Sequence, residues 1–495
     1  MFSSIVGGAF AVFTPMCFFL IFCGVAIGII FGSIPGLSAT MAVALFLPVS
    51  FSLSPLEGMT LLVSLYIGGV SGGLISAILI NMPGTPASVG TCFDGYPLTQ
   101  KGQAMKALGI GVVFSFLGTL ISILAMTFIS PTLAKLALRF GHFEYFSIAV
   151  FSLTLIATLS GDSMVKGILA GLLGIACATV GMAPIDAVTR FTFGSVELTA
   201  GFDILPVLIG MFALSEIMSV AETSRLEGAT NVLNISTKNI KGFGFSFAEF
   251  KSQMVNMLRS AGIGLGIGIL PGLGGSTSNL IAYSVAKSQS KYPEKFGTGV
   301  IDGVVATETA NNATIGGAMI PLLTLGIPGD MTTAILLGGL VIHGLTPGPL
   351  LFAEQPHFVY GIFVAMFLAN FVMLFQEYFG LRFFVRMLRI PKYILLPIIF
   401  VLCVVGVFGL NNRSFDAFII VAFGAIGYFF IKYKLPVAPF IMGFILGPMV
   451  ETYLRRALML SQGDFTPFLT RPISAVFLGI AIVFVILIAR RKLKA

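Results

Sequence analysis

Small hydroxyl and amide side chains recur beside four Pro-Gly steps of this chain, and their spacing could do chemistry. Ser38 and Thr40 follow Pro35-Gly36, and Thr85 and Ser88 follow Pro83-Gly84, with Asn81 just ahead. Ser276, Thr277, Ser278 and Asn279 follow Pro271-Gly272, and Asp330, Thr332 and Thr333 follow Pro328-Gly329. Proline removes a helix donor and glycine tolerates unusual dihedrals, so a Pro-Gly step ends one half-helix and lets another start. A half-helix N-terminus offers free N–H groups and partial positive charge, which suits a carboxylate, while unwound carbonyls suit Na⁺. Neither task needs a charged side chain.

Ionisable residues near these steps are few: Glu57, Asp94, Asp302, Glu308, Asp330 and His343. A carboxylate at membrane depth is a functional candidate because ionising it there is costly. Glu308 lies in TETANNATIGG beside Asn311 and Asn312, and two readings stand. It coordinates or protonates with a coupling cation, or it is a structural carboxylate bonded to a neighbouring helix. Asp330 is a coupling candidate too, and directly after Pro328-Gly329 it also fits a helix cap. Asp94 in FDGYPL reads as a turn residue, and Lys287 to Lys295 as a solvated face.

The elements that must position these residues come in matched pairs. GIIFGSIPGL, with Gly28, Gly32, Pro35, Gly36 and Leu37, has its counterpart in Gly264, Gly268, Pro271, Gly272 and Leu273. Each copy is followed by a second element. Gly72-Gly73 leads through an apolar run to Pro83-Gly84, and Gly316-Gly317 leads to Pro328-Gly329, with one residue inserted in the later copy. A single GxxxG with Pro-Gly serves close helix packing and kinks. Two copies in the same order point to a transporter site between related halves.

Composition sets the environment. With 57% hydrophobic residues, 10% charged residues and 58 glycines, and a mean hydropathy of +1.02, an ordinary soluble domain is excluded. Apolar runs such as Pro15 to Phe31, Leu108 to Ile129, Phe358 to Tyr378, Ile394 to Leu410 and Ile473 to Ala489 approach a spanning length. Roughly ten to fourteen such elements are expected, some broken, and lipid surrounds them. The five cysteines have no metal or CxxC spacing and read as small buried hydrophobes. The net charge of +8 reflects basic cytoplasmic loops, with Arg382, Arg386, Arg389 and Lys392 and the tail from Arg490 to Lys494 placed inside. Nucleic-acid binding finds no support. The first Lys or Arg is Lys101, so no cleavable signal peptide is expected. Arg455 and Arg456 fall outside by simple alternation from Lys432 and Lys434 unless Pro439 to Pro448 is re-entrant.

The expected architecture is an all-α polytopic membrane protein. It has a first repeat half over 1–221, a polar connection over 222–258, and a second half over 259–495 with additional C-terminal helices. The halves are expected to be pseudo-symmetric and of inverted topology, with broken or re-entrant helices at the Pro-Gly motifs.

These residues resemble the large membrane subunit of tripartite tricarboxylate transporters, the TctA type, over nearly the whole chain. The carriers are IPGL at Ile34 to Leu37, NMPGTPAS ending at Ser88, DGYPL at Asp94 to Leu98 with KGQAMKALG following, and then LPGLGG, ETANNA, LGIPGD and GLTPGP. The resemblance implies a multi-pass secondary transporter of a bacterial inner membrane. It would work with a small transmembrane subunit and a periplasmic solute-binding protein, importing a di- or tricarboxylate such as citrate on a Na⁺ or H⁺ gradient, with no cofactor. It carries over to the Pro-Gly breaks and to Asn81, Asn311 and Asn312. Thr307 stands where the family's run has proline, and Ser38-Ala39-Thr40 where a Gly-Pro continuation is frequent.

Two rival classes remain. Gly69-Val70-Ser71-Gly72 matches the short GxSG of intramembrane serine proteases, with His343 as the one histidine of plausible depth. A passive ion or anion channel would also use polar re-entrant segments. No P-loop GxxxxGK[ST] occurs, which argues against ATP hydrolysis. The reading preferred is a carrier, not an enzyme, whose halves move by alternating access, an elevator-type movement by analogy.

Overall fold

The computed structural model describes residues 2–159, 163–226, 244–387 and 392–493, which are helical almost throughout. In chain order, α1 (Phe2–Val12) and α2 (Pro15–Ser33) precede α3 (Ala39–Phe51), α4 (Pro55–Ile80), α5 (Val89–Gln100) and the long α6 (Ala104–Ala137). Next come α7 (His142–Leu159), α8 (Met164–Ala178), a small antiparallel ribbon of β1 (Gly181–Met182) and β2 (Thr189–Arg190), and α9 (Ile204–Ile209). A π-turn over Gly210–Leu214 joins α9 to α10 (Ser215–Leu226). Beyond lie α11 (Phe247–Ser252), α12 (Met254–Ile269), α13 (Gly274–Ser288), α14 (Ile301–Leu325), α15 (Met331–Ile342) and α16 (Pro349–Glu354). The chain closes with α17 (Pro356–Met387), α18 (Lys392–Asn411), α19 (Ser414–Lys432), α20 (Val437–Leu460), α21 (Thr466–Thr470) and α22 (Pro472–Leu493). The centre of the polar connection, residues 227–243, lies outside the described residues.

Seven described helices are long and apolar enough to cross a membrane, and eight shorter apolar helices of 10–17 residues accompany them. The chain is a polytopic membrane protein. Helix α14 has the length of a span at 25 residues but carries Thr307, Glu308, Thr309, Asn311, Asn312 and Thr314, all buried. Polar groups on that scale survive inside a bilayer protein only where protein encloses them. Helix starts are set locally. Thr14 Oγ1 accepts Cys17 N–H at 3.2 Å ahead of Pro15, and Ser54 with Glu57 forms a capping box ahead of Pro55.

The described chain forms two compact units, one of Met1–Thr132 with Val220–Leu402, the other of Leu133–Ser219 with Cys403–Ala495. In the first, α2 packs along α4, α12 along α14, and α17 against α1, α2 and α4. Small residues allow the close approach. A Cβ on Gly28 would lie 2.5 Å from Leu65 O, and one on Gly268 would lie 2.9 Å from Gly317 Cα.

In the second unit α7 and α8 pack on α20, and α22 on α7. Arg190 grips Glu451 with two bonds of 2.7 and 3.1 Å, and Arg455 pairs with Asp186 at 3.0 Å and with Glu451 at 2.9 Å. The Arg455 hydrogen bond holds the Asp186 carboxyl below the ordinary aspartate value. Helix α20 runs unbroken through Pro448, so Pro439 to Pro448 is not re-entrant. Arg455 and Arg456 therefore sit toward the opposite end of this helix from Lys432 and Lys434. The five cysteines are free.

Candidate functional site

All the residues singled out beside the Pro-Gly steps fall in the first unit. Helix α2 ends at Ser33, and Gly36 takes φ +92°, a left-handed value that glycine accepts at little cost. Ser38 then caps α3, its Oγ accepting Met41 N–H at 3.1 Å. Helix α12 ends at Ile269, Gly272 takes φ +78°, and α13 starts at Gly274 with no side-chain cap. Gly272 N–H is instead bonded to Gly329 O at 2.7 Å, tying this step to the one before α15.

The longer helices end alike. Helix α4 stops at Asn81 with φ 55°, α14 at Gly326 with φ 73°, both left-handed. Two residues on come Pro83-Gly84 and Pro328-Gly329, and then Thr85 and Asp330 at the starts of the following helices. A Cβ on Gly84 would strike Gly32 O and one on Gly329 would strike Gly268 O. The contacts also settle the register: Gly72 faces Ile29 O as Gly317 faces Leu265 O. Gly72 and Gly317 each precede their proline by eleven residues, so the apparent one-residue insertion disappears.

The segment after Pro83 meets α13 and α14. Thr85 Oγ1 and Ser88 Oγ share a hydrogen bond of 2.9 Å, and Gly90 N–H donates to Asn279 Oδ1 at 2.8 Å. Glu308 is fully buried and surrounded by donors. Thr91 donates to its Oε1 at 2.5 Å, and Ser115 to its Oε2 at 2.9 Å. Asn312 Nδ2 reaches Ser115 Oγ at 2.9 Å and Glu308 O at 3.1 Å. Thr307 keeps the helix intact where proline was expected, its hydroxyl bonding back to Gly303 O at 2.9 Å.

Asn311 contrasts with its neighbour. It too is fully buried, yet neither Oδ1 nor Nδ2 has a hydrogen-bond partner. A Cβ on Gly275, in the first turn of α13, would run into Asn311 Oδ1 and lie 3.1 Å from Ala87 Cβ. One residue earlier, a Cβ on Gly274 would lie 3.1 Å from Asp330 Cβ. The uncapped start of α13 thus sits between the segment after Pro83, the amide of Asn311 and the start of α15. Free N–H groups, a helix dipole and an uncommitted amide can together hold an anion.

Asp330 caps α15, its Oδ1 accepting Thr333 N–H at 2.7 Å, and it also accepts the Tyr66 hydroxyl. Thr40 and Thr332 share a bond of 2.8 Å. Pro328 and Ser278 are buried, Pro83, Ser276 and Thr277 half-buried, and Asn81 is exposed, away from the buried cluster. Asp94 is no turn residue. It lies buried in α5 and accepts Gly297, Gly299 and Val300 N–H at 2.8 to 3.0 Å and Tyr283 Oη at 3.0 Å, so it anchors the entry to α14. Ser71 donates to Glu377 Oε2 at 2.9 Å rather than to a histidine. Sequence reasoning passed over Thr91, Ser115, Tyr66 and Glu377. Glu377 was findable as a carboxylate inside the apolar run Phe358 to Tyr378, whereas the others are known only by what they touch.

Among the described residues no cluster of His, Cys, Asp and Glu could hold a metal ion. No solved structure matches the chain. A protein of Agrobacterium vitis, "Uncharacterized 52.8 kDa protein in TAR-I ttuC' 3'region", is 35% identical over 96% of this chain and 93% of its own length. A second from that organism, "Uncharacterized protein in TAR-II ttuC' 3'region", is 41% identical over 45% of this chain and 91% of its own length. The model of the tripartite tricarboxylate transporter TctA family matches residues 18–442, so this chain belongs to that family.

Proposed function

We propose that this chain is the large transmembrane subunit of a secondary carrier that imports a di- or tricarboxylate such as citrate, driven by a Na⁺ or H⁺ gradient. It works with a small transmembrane subunit and a periplasmic solute-binding protein in a bacterial inner membrane. The observation that carries this reading is the buried, unpartnered amide of Asn311 against the uncapped start of α13. A substrate carboxylate accepts N–H groups from the helix start and from Asn311 Nδ2, with Ser276, Thr277 and the segment from Gly84 to Ser88 around it. Glu308, bonded by Thr91 and Ser115, supplies the negative charge that couples the cation.

Two related halves of inverted topology support alternating access at this point. The equivalent endings of α4 and α14, and the equivalent contacts of Gly84 and Gly329, favour that relation. Uptake of labelled di- and tricarboxylates by cells holding both membrane subunits, with and without the binding protein and at varied Na⁺ and pH, tests it. Gradient-driven uptake that needs the binding protein and shows counterflow is expected. Flux without counterflow would mean a channel, and no uptake across the carboxylate panel would overturn the substrate class.

A further inference from the structure

The Ser71 motif and the second deep carboxylate are left unused by the site above, and they meet each other. Glu377, on the membrane-length part of α17, is fully buried, its Oε2 accepting the Ser71 hydroxyl at 2.9 Å. Its Oε1 has no hydrogen-bond partner. Glu308 differs: both its oxygens take hydroxyl donors, from Thr91 and Ser115. An ionised carboxylate left with one donor in a low-dielectric interior is costly, whereas a protonated one needs far less.

Among the described residues no positive charge compensates Glu377 from the helices packed on α17, which include α1, α2, α4, α16 and, through Phe116, α6, whose Lys106 and Lys135 lie ten or more residues from Phe116. The one charge among them that reaches it is the carboxylate of Glu308 on α14, which opposes a second negative charge there. Helix α1 has no titratable side chain, and α2 has only Cys17 and Cys23. Helix α4 has Glu57, fourteen residues from Ser71, and Tyr66, which is bonded to Asp330. Helix α16 has only Glu354. Along α17 itself, Asn370 lies two helical turns before Glu377, and its Nδ2 is bonded to Phe116 O at 3.0 Å. Arg382 and Arg386 follow toward the C-terminal end of that helix. None of the ion pairs among the described residues includes Glu377.

We infer that Glu377 is a proton-binding site of this protein, held as the neutral acid by Ser71 and not hydrogen-bonded into the donor-rich Glu308 cluster. A proton taken from water sits on Oε1 while the group is enclosed, and is returned to water when the group is exposed. No other bond changes. This deepens the proposed carrier function by giving its coupling a proton, and it rests on that reading only for the transport arm of the test.

The test is infrared difference spectroscopy of the full chain with its small subunit in lipid, titrated with acid and base. The carbonyl stretch of a protonated carboxylic acid should be present, should vanish at high pH, and should be missing in Glu377→Gln. Glutamine keeps the acceptor for Ser71, so that variant should fold. Glu308→Gln and Asp330→Asn should retain the band. An identical titrating band in Glu377→Gln overturns the inference, as does loss of the wild-type band on adding Na⁺ at constant pH. In proteoliposomes Glu377→Gln should keep labelled-carboxylate counterflow and lose at least tenfold of the accumulation that a pH gradient drives. Accumulation at the wild-type level would overturn the inference. If the wild type moves no carboxylate, the substrate reading falls and the infrared titration still decides the proton site.

Discussion

Asn311 and Asn312 form an internal experiment, because they are adjacent, identical in type and equally buried on one helix, yet only one is bonded. Leucine keeps the branch at Cγ and removes the amide. At Asn312 the change deletes the bonds to Ser115 Oγ and Glu308 O, and a buried bond lost with its partner left behind costs about 1–3 kcal/mol. At Asn311 no bond is lost, and removing an unpaired buried amide is neutral or stabilising. Substrate binding should respond in the opposite sense. An amide bond to a charged carboxylate contributes about 1.5–3 kcal/mol, so Asn311→Leu should weaken carboxylate affinity about 10- to 150-fold. Thermal unfolding of purified protein and the half-saturating carboxylate concentration for uptake give the two readouts. The expected result is an unchanged or raised Tm with lost affinity for Asn311→Leu, and a lowered Tm for Asn312→Leu. A large fall in Tm with wild-type affinity for Asn311→Leu would refute the placement of a carboxylate at the start of α13.

Glu308→Gln should change the cation dependence of uptake, and adding Thr91→Val should then change little, because the hydroxyl acts through the carboxylate it meets at 2.5 Å; fully additive losses in a double-mutant cycle would contradict this. Gly329→Leu should lower the amount of folded protein recovered from membranes, since its side chain would drive into Gly268 O and lie within 2.6 Å of Ala318 Cα; wild-type yield with selective loss of transport would point to a purely functional role. The pairing of Asp186 with Arg455 keeps that carboxylate below its ordinary value, so its stabilising effect is present above the unfolded value and is lost as pH falls through the lower folded one. Arg455→Met should therefore flatten the acid limb of a Tm-against-pH curve, and an unaltered limb would argue against it. Asn81→Val should destabilise by about 1–2 kcal/mol through the left-handed φ of 55°, and Asn81→Gly should not, as judged by chemical unfolding.

Much of the fold was legible because membrane insertion writes itself into composition: long apolar runs have one stable outcome in lipid, the helix with its backbone satisfied. The Pro-Gly steps were legible for a similar local reason, since proline and glycine act on their own backbone whatever surrounds them. Thus the chain is non-helical at Gly36, Gly84, Gly272 and Gly329 without reference to any distant contact. Pro48, Pro131, Pro321 and Pro448 show the boundary of that rule, for each lies inside a helix that continues past it. Neighbouring helices and side chains can satisfy the freed carbonyl in a packed membrane protein.

Which polar side chain does what was a tertiary decision. Local sequence reads Asn311 and Asn312 alike and reads Asp94 as a turn residue. Only packing leaves one asparagine unbonded and gathers three loop N–H groups around the aspartate. Glu308 meets Thr91 and Ser115 across separations of 217 and 193 residues, and Glu377 meets Ser71 across 306. Hydrogen bonds act over about 3 Å in space with no regard for distance along the chain. The sequence by itself therefore determined the membrane, the helices and the places where they stop, while the three-dimensional approach of those helices decided which carboxylates and amides are committed to the protein and which are free to bind.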